Sequence, residues 1–249
     1  MEKMLGIDIG GTGIKGALID TKTGELLSER TKYKTPANAT PKNVIDTAMQ
    51  IVRDLDWVGK PIGAGCPAVV RAGITKSATN IDKSWIDYNV AEKFSKVAGA
   101  PVNLINDADA AGLAELAFGE AKGVPGVCLL ISLGTGIGSA MFINGILVPN
   151  TELGMLKMKK GIAEDYATNR VREKEDMSWE EWGGYLNQYL RHLEVLFSPS
   201  KIIISGGVCK KFDKYKKYLH TEARVVPAKL LNNAGIIGAA MGMQKRLDK

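Results

Sequence analysis

The sequence predicts an α/β protein built from two domains of the same topology, and two observations support this prediction. An apolar strand, a glycine-rich turn and two further strands occur over residues 5–27 and occur again over residues 127–148. Helical patterns follow the two copies, most clearly at residues 40–55 and 178–197. A repeat spaced by about half the chain indicates two similar units, and strands mixed with helices are typical of α/β domains.

The turns define the strands of each copy. In the second copy, Gly134-Thr135-Gly136 and Asn144-Gly145 separate three apolar runs. Asn-Gly between apolar runs is typical of a two-residue hairpin. In the first copy, residues 10–13 and Thr23-Gly24 take the same places. Both copies are therefore predicted to be three-stranded antiparallel meanders.

Three further elements are predicted from local signals. Ser178 and Glu181 form a capping box for a helix that ends before Pro199. A helix is also predicted to start at Asp107, directly after the apolar segment 102–105. Asn233 is predicted to cap the last helix.

Composition limits the class of protein. The hydrophobic fraction of 45% and the charged fraction of 24% are those of an ordinary globular protein. No stretch approaches the roughly 20 apolar residues of a membrane-spanning helix, and Asp8 interrupts the first apolar run, so we expect no secretory signal. Three cysteines far apart argue against a disulfide framework and fit a reducing cytoplasm. The net charge of +6 weakly favours anionic partners.

The first glycine turn does not belong to a dinucleotide-binding site. Gly11, Gly13 and Gly16 match the pattern G-x-G-x-x-G. That motif requires a helix after the turn and an acidic residue about 20 positions later. Here a strand follows the turn, and Asp20 comes too early. The pattern around the turn therefore excludes a nicotinamide dehydrogenase. A Walker A loop is also missing from the sequence.

Both turns are instead predicted to bind phosphate. A tight turn presents backbone N–H groups to phosphate oxygens, and glycine allows the close approach. The predicted donor-binding residues of the turns are Gly10, Gly11, Thr12, Gly13, Gly134, Thr135 and Gly136.

Asp8 is predicted to take part in magnesium binding. It lies on an otherwise apolar strand, where an unpaired carboxylate is costly. Mg²⁺, held directly or through water, is a natural partner because a phosphate donor brings it. A carboxylate that only hydrogen-bonds the turn is the alternative. Lys15, on the next strand, is predicted to offset phosphate charge.

With these turns in view, the sequence resembles the ROK family of sugar kinases, and most closely its polyphosphate glucokinase branch. The resemblance covers nearly the whole chain, and its most specific motifs are Asn-Asp-Ala-Asp-Ala-Ala-Gly and Leu-Gly-Thr-Gly-Ile-Gly-Ser. The matching segments are residues 8–15, 80–85, 106–112, 133–139, 149–154, 178–182 and 232–235.

The resemblance implies an actin-like ATPase (ribonuclease H-like) fold with two similar domains around a cleft. We expect an N-terminal domain at residues 1–105, completed by the C-terminal helix 233–247, and a C-terminal domain at residues 106–232. The implied activity is transfer of a phosphoryl group from inorganic polyphosphate or ATP to the 6-hydroxyl of glucose or a related hexose. We expect a cytoplasmic homodimer with no nucleic-acid or membrane partner.

The resemblance also assigns roles to individual residues. Asp107 corresponds to the general base, and the implied sugar site holds Asn80, Asn106, Asp107, Glu152 and Met155. The implied donor side includes Gly206 and Gly207 and, as a track for polyphosphate, Lys210, Lys211 and Lys214. The alternative for the lysine run is a solvated surface.

Three replacements separate this chain from the family pattern. Met155 stands where the family has a sugar-binding histidine, Lys157 where it has a glutamate, and Ala68 where it has a glycine. These changes predict weaker or altered sugar selection.

Other functions stay open beside the main prediction. One is an ATP-dependent hexose or hexosamine kinase on the same fold, and another is a sugar or phosphate sensor without turnover. A filament-forming or chaperone relative of actin is disfavoured, because Asn106, Asp107 and Glu152 have no purpose there. A DNA-binding repressor is disfavoured because the first strand begins at Met4.

Overall fold

The computed structural model describes residues 3–78, 81–159 and 161–248, which form two compact α/β units. The first unit contains the chain up to Ala114 and the segment from Asn233 onward, and the second is Glu115–Asn232. This division lies beyond the predicted boundary between residues 105 and 106. The segment from 106 belongs with the first unit because its backbone packs on the last helix, where a Cβ on Gly238 would lie 1.6 Å from the carbonyl oxygen of Ala110.

The first unit has a five-stranded mixed sheet and a small antiparallel sheet. Its strands are β1 (Lys3–Ile9), β2 (Gly13–Asp20), β3 (Thr31–Lys34), β4 (Ile62–Cys66), β5 (Val70–Arg71), β6 (Ile74–Thr75), β7 (Tyr88–Asn89) and β8 (Val102–Asn106). Its helices are α1 (Pro41–Asp54), α2 (Val90–Ala98), α3 (Asp107–Phe118), which continues into the second unit, and the C-terminal α8 (Ala234–Leu247). The main sheet has the order β3-β2-β1-β4-β8.

Small residues let α8 lie directly on this sheet. A Cβ on Gly6 of β1 would lie 2.0 Å from the carbonyl oxygen of Ile236, and a Cβ on Gly63 of β4 would lie 1.9 Å from that of Ala239. Contacts this short exclude any side chain, so the two glycines set the helix-to-sheet distance. The helix in turn covers the two central strands.

The second unit repeats the architecture of the first. Its strands are β9 (Val127–Leu133), β10 (Ile137–Ile143), β11 (Ile146–Val148), β12 (Lys157–Met158), β13 (Gly161–Ile162), β14 (Lys201–Ser205) and β15 (Arg224–Pro227). Its helices are α4 (Glu164–Ala167), α5 (Asn169–Lys174), α6 (Trp179–Phe197) and α7 (Phe212–Tyr215). The main sheet has the order β11-β10-β9-β14-β15, with two antiparallel pairings followed by two parallel ones, as in the first unit. The predicted α/β class is therefore confirmed.

One strand of the first meander is not where the sequence placed it. After the turn at Gly24 the chain makes only an isolated bridge between Ile19 and Leu26, and the third strand is β3. The hydroxyl of Ser28 accepts the N–H of Leu18 at 3.0 Å. A side chain thus takes the place of a backbone partner, and the ladder stops there until β3 resumes it.

Side chains cap the N-termini of α1, α2, α5 and α6, whereas α4 and α7 begin without a side-chain cap. The predicted capping box at α6 is present, with Ser178 and Glu181 each accepting the other's backbone N–H. Asn233 precedes α8, but its side chain makes no capping bond and instead accepts from Arg30 at 3.4 Å, so that prediction was wrong. Within the described ranges, no helix is both long and apolar enough to cross a bilayer.

Candidate functional site

The first glycine turn joins β1 to β2 and presents its tip to solvent. The N–H of Gly10 donates to the carbonyl of Gly13 at 3.0 Å, and Gly11 and Thr12 are exposed between them. The hydroxyl of Thr35, just after β3, donates to the carbonyl of Gly10 at 2.6 Å. The turn is therefore braced by the neighbouring strand of its own sheet.

Asp8 and Lys15 face each other beside this turn. They are paired in the β1–β2 register, and the Lys15 ammonium lies 3.3 Å from Oδ2 of Asp8. The side chains keep 28% (Lys15) and 18% (Asp8) of their surface exposed, so both groups can still reach a ligand. Gly235, at the start of α8, is packed against the carboxylate, since a Cβ there would lie 3.1 Å from Cγ of Asp8.

This surrounding fits a magnesium ion that a phosphate donor carries in. Mg²⁺ is commonly held by one or two carboxylates, with water and phosphate oxygens as its remaining ligands. Asp8 is such a carboxylate, accessible and fixed by a strand. The described residues contain no group of three or more His, Cys, Asp or Glu side chains arranged to hold a metal.

A cavity of about 370 Å³ adjoins the first turn within the same unit. Its walls are formed by Gly11, Thr35, Pro36, Ala37, Ala39, Ile81 and Asp82. The carboxylate of Asp82 accepts the backbone N–H of Ser84 at 2.8 Å, which fixes that wall. Asn80, a predicted sugar ligand, lies outside the described residues.

Asn106 and Asp107 lie where β8 passes into α3. The buried Asn106 amide oxygen accepts the N–H groups of Ala108 at 2.8 Å and Asp109 at 3.1 Å, and its nitrogen donates to the carbonyl of Ala68 at 3.2 Å. Asn106 therefore caps the helix that Asp107 begins, a structural role that the sequence prediction did not include. Asp107 itself is half-buried at the first helical position.

Cys66, at the end of β4, lies close to this carboxylate. Burial raises the pKa of the Cys66 thiol, and the charge of Asp107 raises it further. The thiol is thus a neutral, apolar neighbour for Asp107.

The second glycine turn is braced by a different part of its unit. Gly134 donates to the carbonyl of Gly136 at 3.0 Å, and Thr135 is exposed at the tip. The N–H of Ile137, the first residue after the turn, donates to Oε1 of Glu164 at 2.9 Å. The carbonyl of Gly134 accepts the N–H of Arg170 at 3.2 Å. The segment that forms α4 and α5 therefore holds both ends of the turn.

Gly206 lies directly against the start of the second turn. Its φ is +83°, and a Cβ there would lie 2.5 Å from the carbonyl oxygen of Leu133. Only glycine suits that conformation and that distance. Gly207 next to it faces open space. The structure thus places Gly206 against Leu133, the residue that precedes the turn at 134–136.

Two carboxylates, those of Glu152 and Glu164, lie near the start of β10, directly after the second turn. Protein atoms around the Glu152 carboxyl partly bury it, which raises its pKa, and the charge of Glu164 raises it further. Gly154 makes this proximity possible, because a Cβ there would lie 2.7 Å from the carbonyl oxygen of Ile137 and 3.2 Å from Cγ of Glu164. Met155 follows with 49% of its surface exposed.

Glu164 was missed in the sequence. A glutamate at the first position of a short helix is explained by the helix dipole alone, and no spacing links it to Glu152. Only the tertiary contact with Ile137 reveals it.

The predicted lysine track is gathered around an indole ring. The ammonium groups of Lys211 and Lys214 lie 5.8 Å and 5.9 Å from the centre of the Trp179 ring, and the guanidinium of Arg172 lies 4.2 Å from it. Lys210 is exposed next to them in sequence. Three cations thus lie around the Trp179 ring, and Arg172 and Trp179 were not predicted as members. The Arg172 side chain is only 14% exposed and pairs with Glu173 at 3.4 Å, so the three lysines form the exposed basic surface of the second unit.

The mixed α/β units and their two glycine turns define a phosphate-binding protein of the actin-like class. The ROK family model matches residues 4–155 of this chain. A polyphosphate glucokinase from Mycobacterium tuberculosis is 44% identical over 95% of this chain and 89% of its own length. A glucokinase from Streptomyces coelicolor is 28% identical over 95% of this chain and 96% of its own length.

Solved structures give the same assignment. An inorganic polyphosphate/ATP-glucomannokinase from Arthrobacter superposes with a TM-score of 0.95 at 43% identity, covering 99% of this chain and all of that one. A ROK glucokinase from Streptomyces griseus, in complex with glucose and AMPPNP, gives a TM-score of 0.84 at 25% identity, covering 98% of this chain and 99% of that one. This chain belongs to the ROK family, and the predicted family and actin-like fold are confirmed.

Proposed function

We propose that this chain is a polyphosphate- and ATP-dependent glucokinase that phosphorylates the 6-hydroxyl of glucose. The observation that carries this proposal is the 44% identity to a polyphosphate glucokinase over 95% of the chain. The two glycine turns and the carboxylate of Asp107 at the start of α3 support it with chemistry suited to phosphoryl transfer.

Asp107 is assigned the role of general base. The sugar hydroxyl oxygen forms a bond to the terminal phosphorus of the donor, the bond from that phosphorus to the bridging oxygen breaks, and the hydroxyl proton passes to Asp107. The leaving group is ADP or a polyphosphate one unit shorter. Because the proton needs to leave only late in such a reaction, an ordinary carboxylate suffices.

The donor is assigned to the glycine turns and their charged neighbours. Backbone N–H groups at the exposed tips of the turns, those of Gly11, Thr12 and Thr135, bind phosphate oxygens, and Lys15 contributes a positive charge. Asp8 would hold Mg²⁺, directly or through water. When bound with the donor, Mg²⁺ supplies positive charge that offsets the charge on the phosphate oxygens.

Sugar recognition is assigned to Glu152, Asn106 and Asn80, with Glu164 added from its proximity to Glu152. Carboxylates accept hydrogen bonds from sugar hydroxyls, and each such charged hydrogen bond contributes about 1.5–3 kcal/mol. Met155, three positions after Glu152, stands where the family has a histidine, and its side chain offers no hydrogen bond to a sugar hydroxyl. We therefore propose that glucose is held less tightly than in relatives with the histidine.

Polyphosphate is proposed as the preferred donor. Lys210, Lys211 and Lys214 form the predicted track. Lys211 and Lys214 lie near the Trp179 ring, beside an Arg172 side chain that is only 14% exposed and paired with Glu173. A long polyanion meets several of these charges at once, whereas ATP meets few.

The test is a phosphorylation assay with purified protein, glucose, mannose and N-acetylmannosamine as acceptors, and polyphosphate or ATP as donor. We expect glucose 6-phosphate with both donors and a higher kcat/KM with polyphosphate. Turnover with ATP alone would favour an ATP-dependent hexose kinase, and sugar binding without product would favour a sensor. A homodimer is also proposed, and sedimentation equilibrium tests it.

A further inference from the structure

The hydroxyl of Tyr189 is buried without a hydrogen-bond partner in the described part of the chain. Tyr189 lies on the buried face of α6 and has no exposed surface. An unsatisfied buried polar group costs about 1–3 kcal/mol, and phenylalanine would fill the same space without that cost. The hydroxyl therefore calls for a partner that protein atoms at hydrogen-bond distance do not provide.

The charged group that acts on this hydroxyl is the carboxylate of Glu164. The short helix α4, which Glu164 begins, packs against α6, and the Trp182 indole of α6 donates to the carbonyl of Thr168 at 3.1 Å just after α4. Burial raises the pKa of the Tyr189 hydroxyl, and the charge of Glu164 raises it further. Glu164 is therefore close enough to act on this hydroxyl through its charge.

Among the described residues, the Glu164 carboxylate accepts one hydrogen bond, which fixes only one of its two oxygens. Oε1 accepts the N–H of Ile137 at 2.9 Å, whereas an ionised carboxylate accepts about four hydrogen bonds. A buried hydroxyl and a nearby carboxylate are commonly joined by one ordered water, which replaces a direct hydrogen bond at little cost.

We propose that Tyr189 is a positioning residue for Glu164: its buried hydroxyl donates through one water to the Glu164 carboxylate and holds that carboxylate in the orientation that binds the sugar. This inference rests on the proposed sugar-kinase function, in which Glu164 accepts a sugar hydroxyl. The carboxylate is then held from two sides, by Ile137 after the second glycine turn and by Tyr189 from the core. The Glu164 side chain thereby connects the proposed sugar site to the second glycine turn.

The first test is Tyr189→Phe with glucose affinity measured by calorimetry in the absence of donor. We expect the Kd for glucose to rise about threefold to tenfold, which is the usual contribution of one hydrogen bond. The KM for ATP should change by less than twofold. The melting temperature should stay the same or fall slightly, because phenylalanine fills the same space and only one hydrogen bond is lost. An unchanged glucose Kd overturns the proposal.

Tyr215→Phe is the matched control. Tyr215 is also fully buried in the second unit, but its hydroxyl donates to the carbonyl of Val208 at 3.5 Å instead. Its removal should leave the glucose Kd unchanged. An equal loss of glucose affinity in both variants would show a general packing effect and would also overturn the proposal.

A double-mutant cycle with Glu164→Ala tests whether Tyr189 acts through the carboxylate. Tyr189→Phe should have no further effect on glucose affinity when the carboxylate is absent. Full additivity of the two changes contradicts the proposal.

A crystal structure of the wild-type protein separates this inference from the proposed function. The inference requires one water to join the Tyr189 hydroxyl to the Glu164 carboxylate, and a hydroxyl bonded elsewhere excludes it. A wild-type protein that shows this contact but neither binds nor phosphorylates glucose would remove the proposed function and leave the contact in place.

Discussion

The two units share one strand order, yet they differ at the position beside each glycine turn. In the first unit, Asp8 is paired with Lys15 across the two strands that the turn joins. In the second unit, the corresponding pair is Ser132 with Gly138. At this pair of strand positions the first turn therefore has a cation and an anion, and the second has two small, neutral residues.

The turns also differ in what holds them. A neutral hydroxyl from the next strand, that of Thr35, braces the first turn. The carboxylate of Glu164 braces the second, and the same carboxylate raises the pKa of Glu152. We infer that the repeat has kept the turn as a phosphate-binding scaffold. We infer further that proton transfer has become the work of the first unit, and that the second unit supplies the carboxylates of the sugar site, Glu152 and Glu164.

The largest predicted effect tests the first half of this division. Asp107→Asn is nearly isosteric and removes the ability to accept a proton. Since general bases contribute about 10² to 10⁴ in rate, we expect kcat with glucose to fall by at least a hundredfold. The KM values and the melting temperature should change little. Steady-state kinetics with both donors measures this, and a variant that keeps more than about a tenth of wild-type kcat would show that Asp107 is not the base.

The second half of the division is tested at Met155. Met155→His restores a hydrogen-bonding group beside Glu152 and should lower the KM for glucose about tenfold, as one well-placed hydrogen bond allows. Ile146→His is the control, because Ile146 is 71% exposed on β11 of the same unit and the change adds an imidazole elsewhere. A KM that stays constant or rises in Met155→His would mean that the pocket is adapted to another sugar.

The turns could be predicted from the sequence, but the residues that brace them could not. Glycine between apolar runs is a local signal, and it located both turns. Glu164 and Thr35 act through contacts with residues 27 and 25 positions away along the chain, and no local pattern marks them. Asn106 shows a different limit. Its sequence motif suggested a sugar ligand but did not reveal that its buried amide also caps α3.

The proposed polyphosphate track around Trp179 belongs to the second unit, so it provides a third test of how the two units differ. Replacing Lys210, Lys211 and Lys214 by glutamine should raise the KM for polyphosphate about threefold to tenfold, because exposed charge pairs contribute about 0.2–1 kcal/mol each. The KM for polyphosphate should also become less dependent on salt. The KM for ATP should stay within twofold of the wild-type value.

Lys216 and Lys217 provide the control for this triple variant. Both are exposed nearby, and Lys217 lies over the ring of Tyr218 instead, 4.9 Å from its centre. Their replacement by glutamine should leave the polyphosphate KM close to that of the wild type. An equal loss with both donors in the triple variant would indicate damage to the fold, and no loss with either would make the lysine run a solvated surface.

The smallest predicted effect concerns the brace of the first turn. Thr35→Val keeps the shape of the side chain and removes the hydroxyl that donates to Gly10 at 2.6 Å. Because Gly10 is only half-buried, water can replace the lost donor, so we expect the KM for ATP to rise only about twofold to threefold. The glucose Kd should not change, because the Thr35 hydroxyl donates to the donor turn and the proposed carboxylate ligands of the sugar, Glu152 and Glu164, belong to the other unit. Thr47→Val is the matched control, since its hydroxyl donates to a backbone carbonyl at 2.8 Å within α1 of the same unit. A change in glucose affinity in Thr35→Val, absent from Thr47→Val, would contradict the division of labour between the two turns.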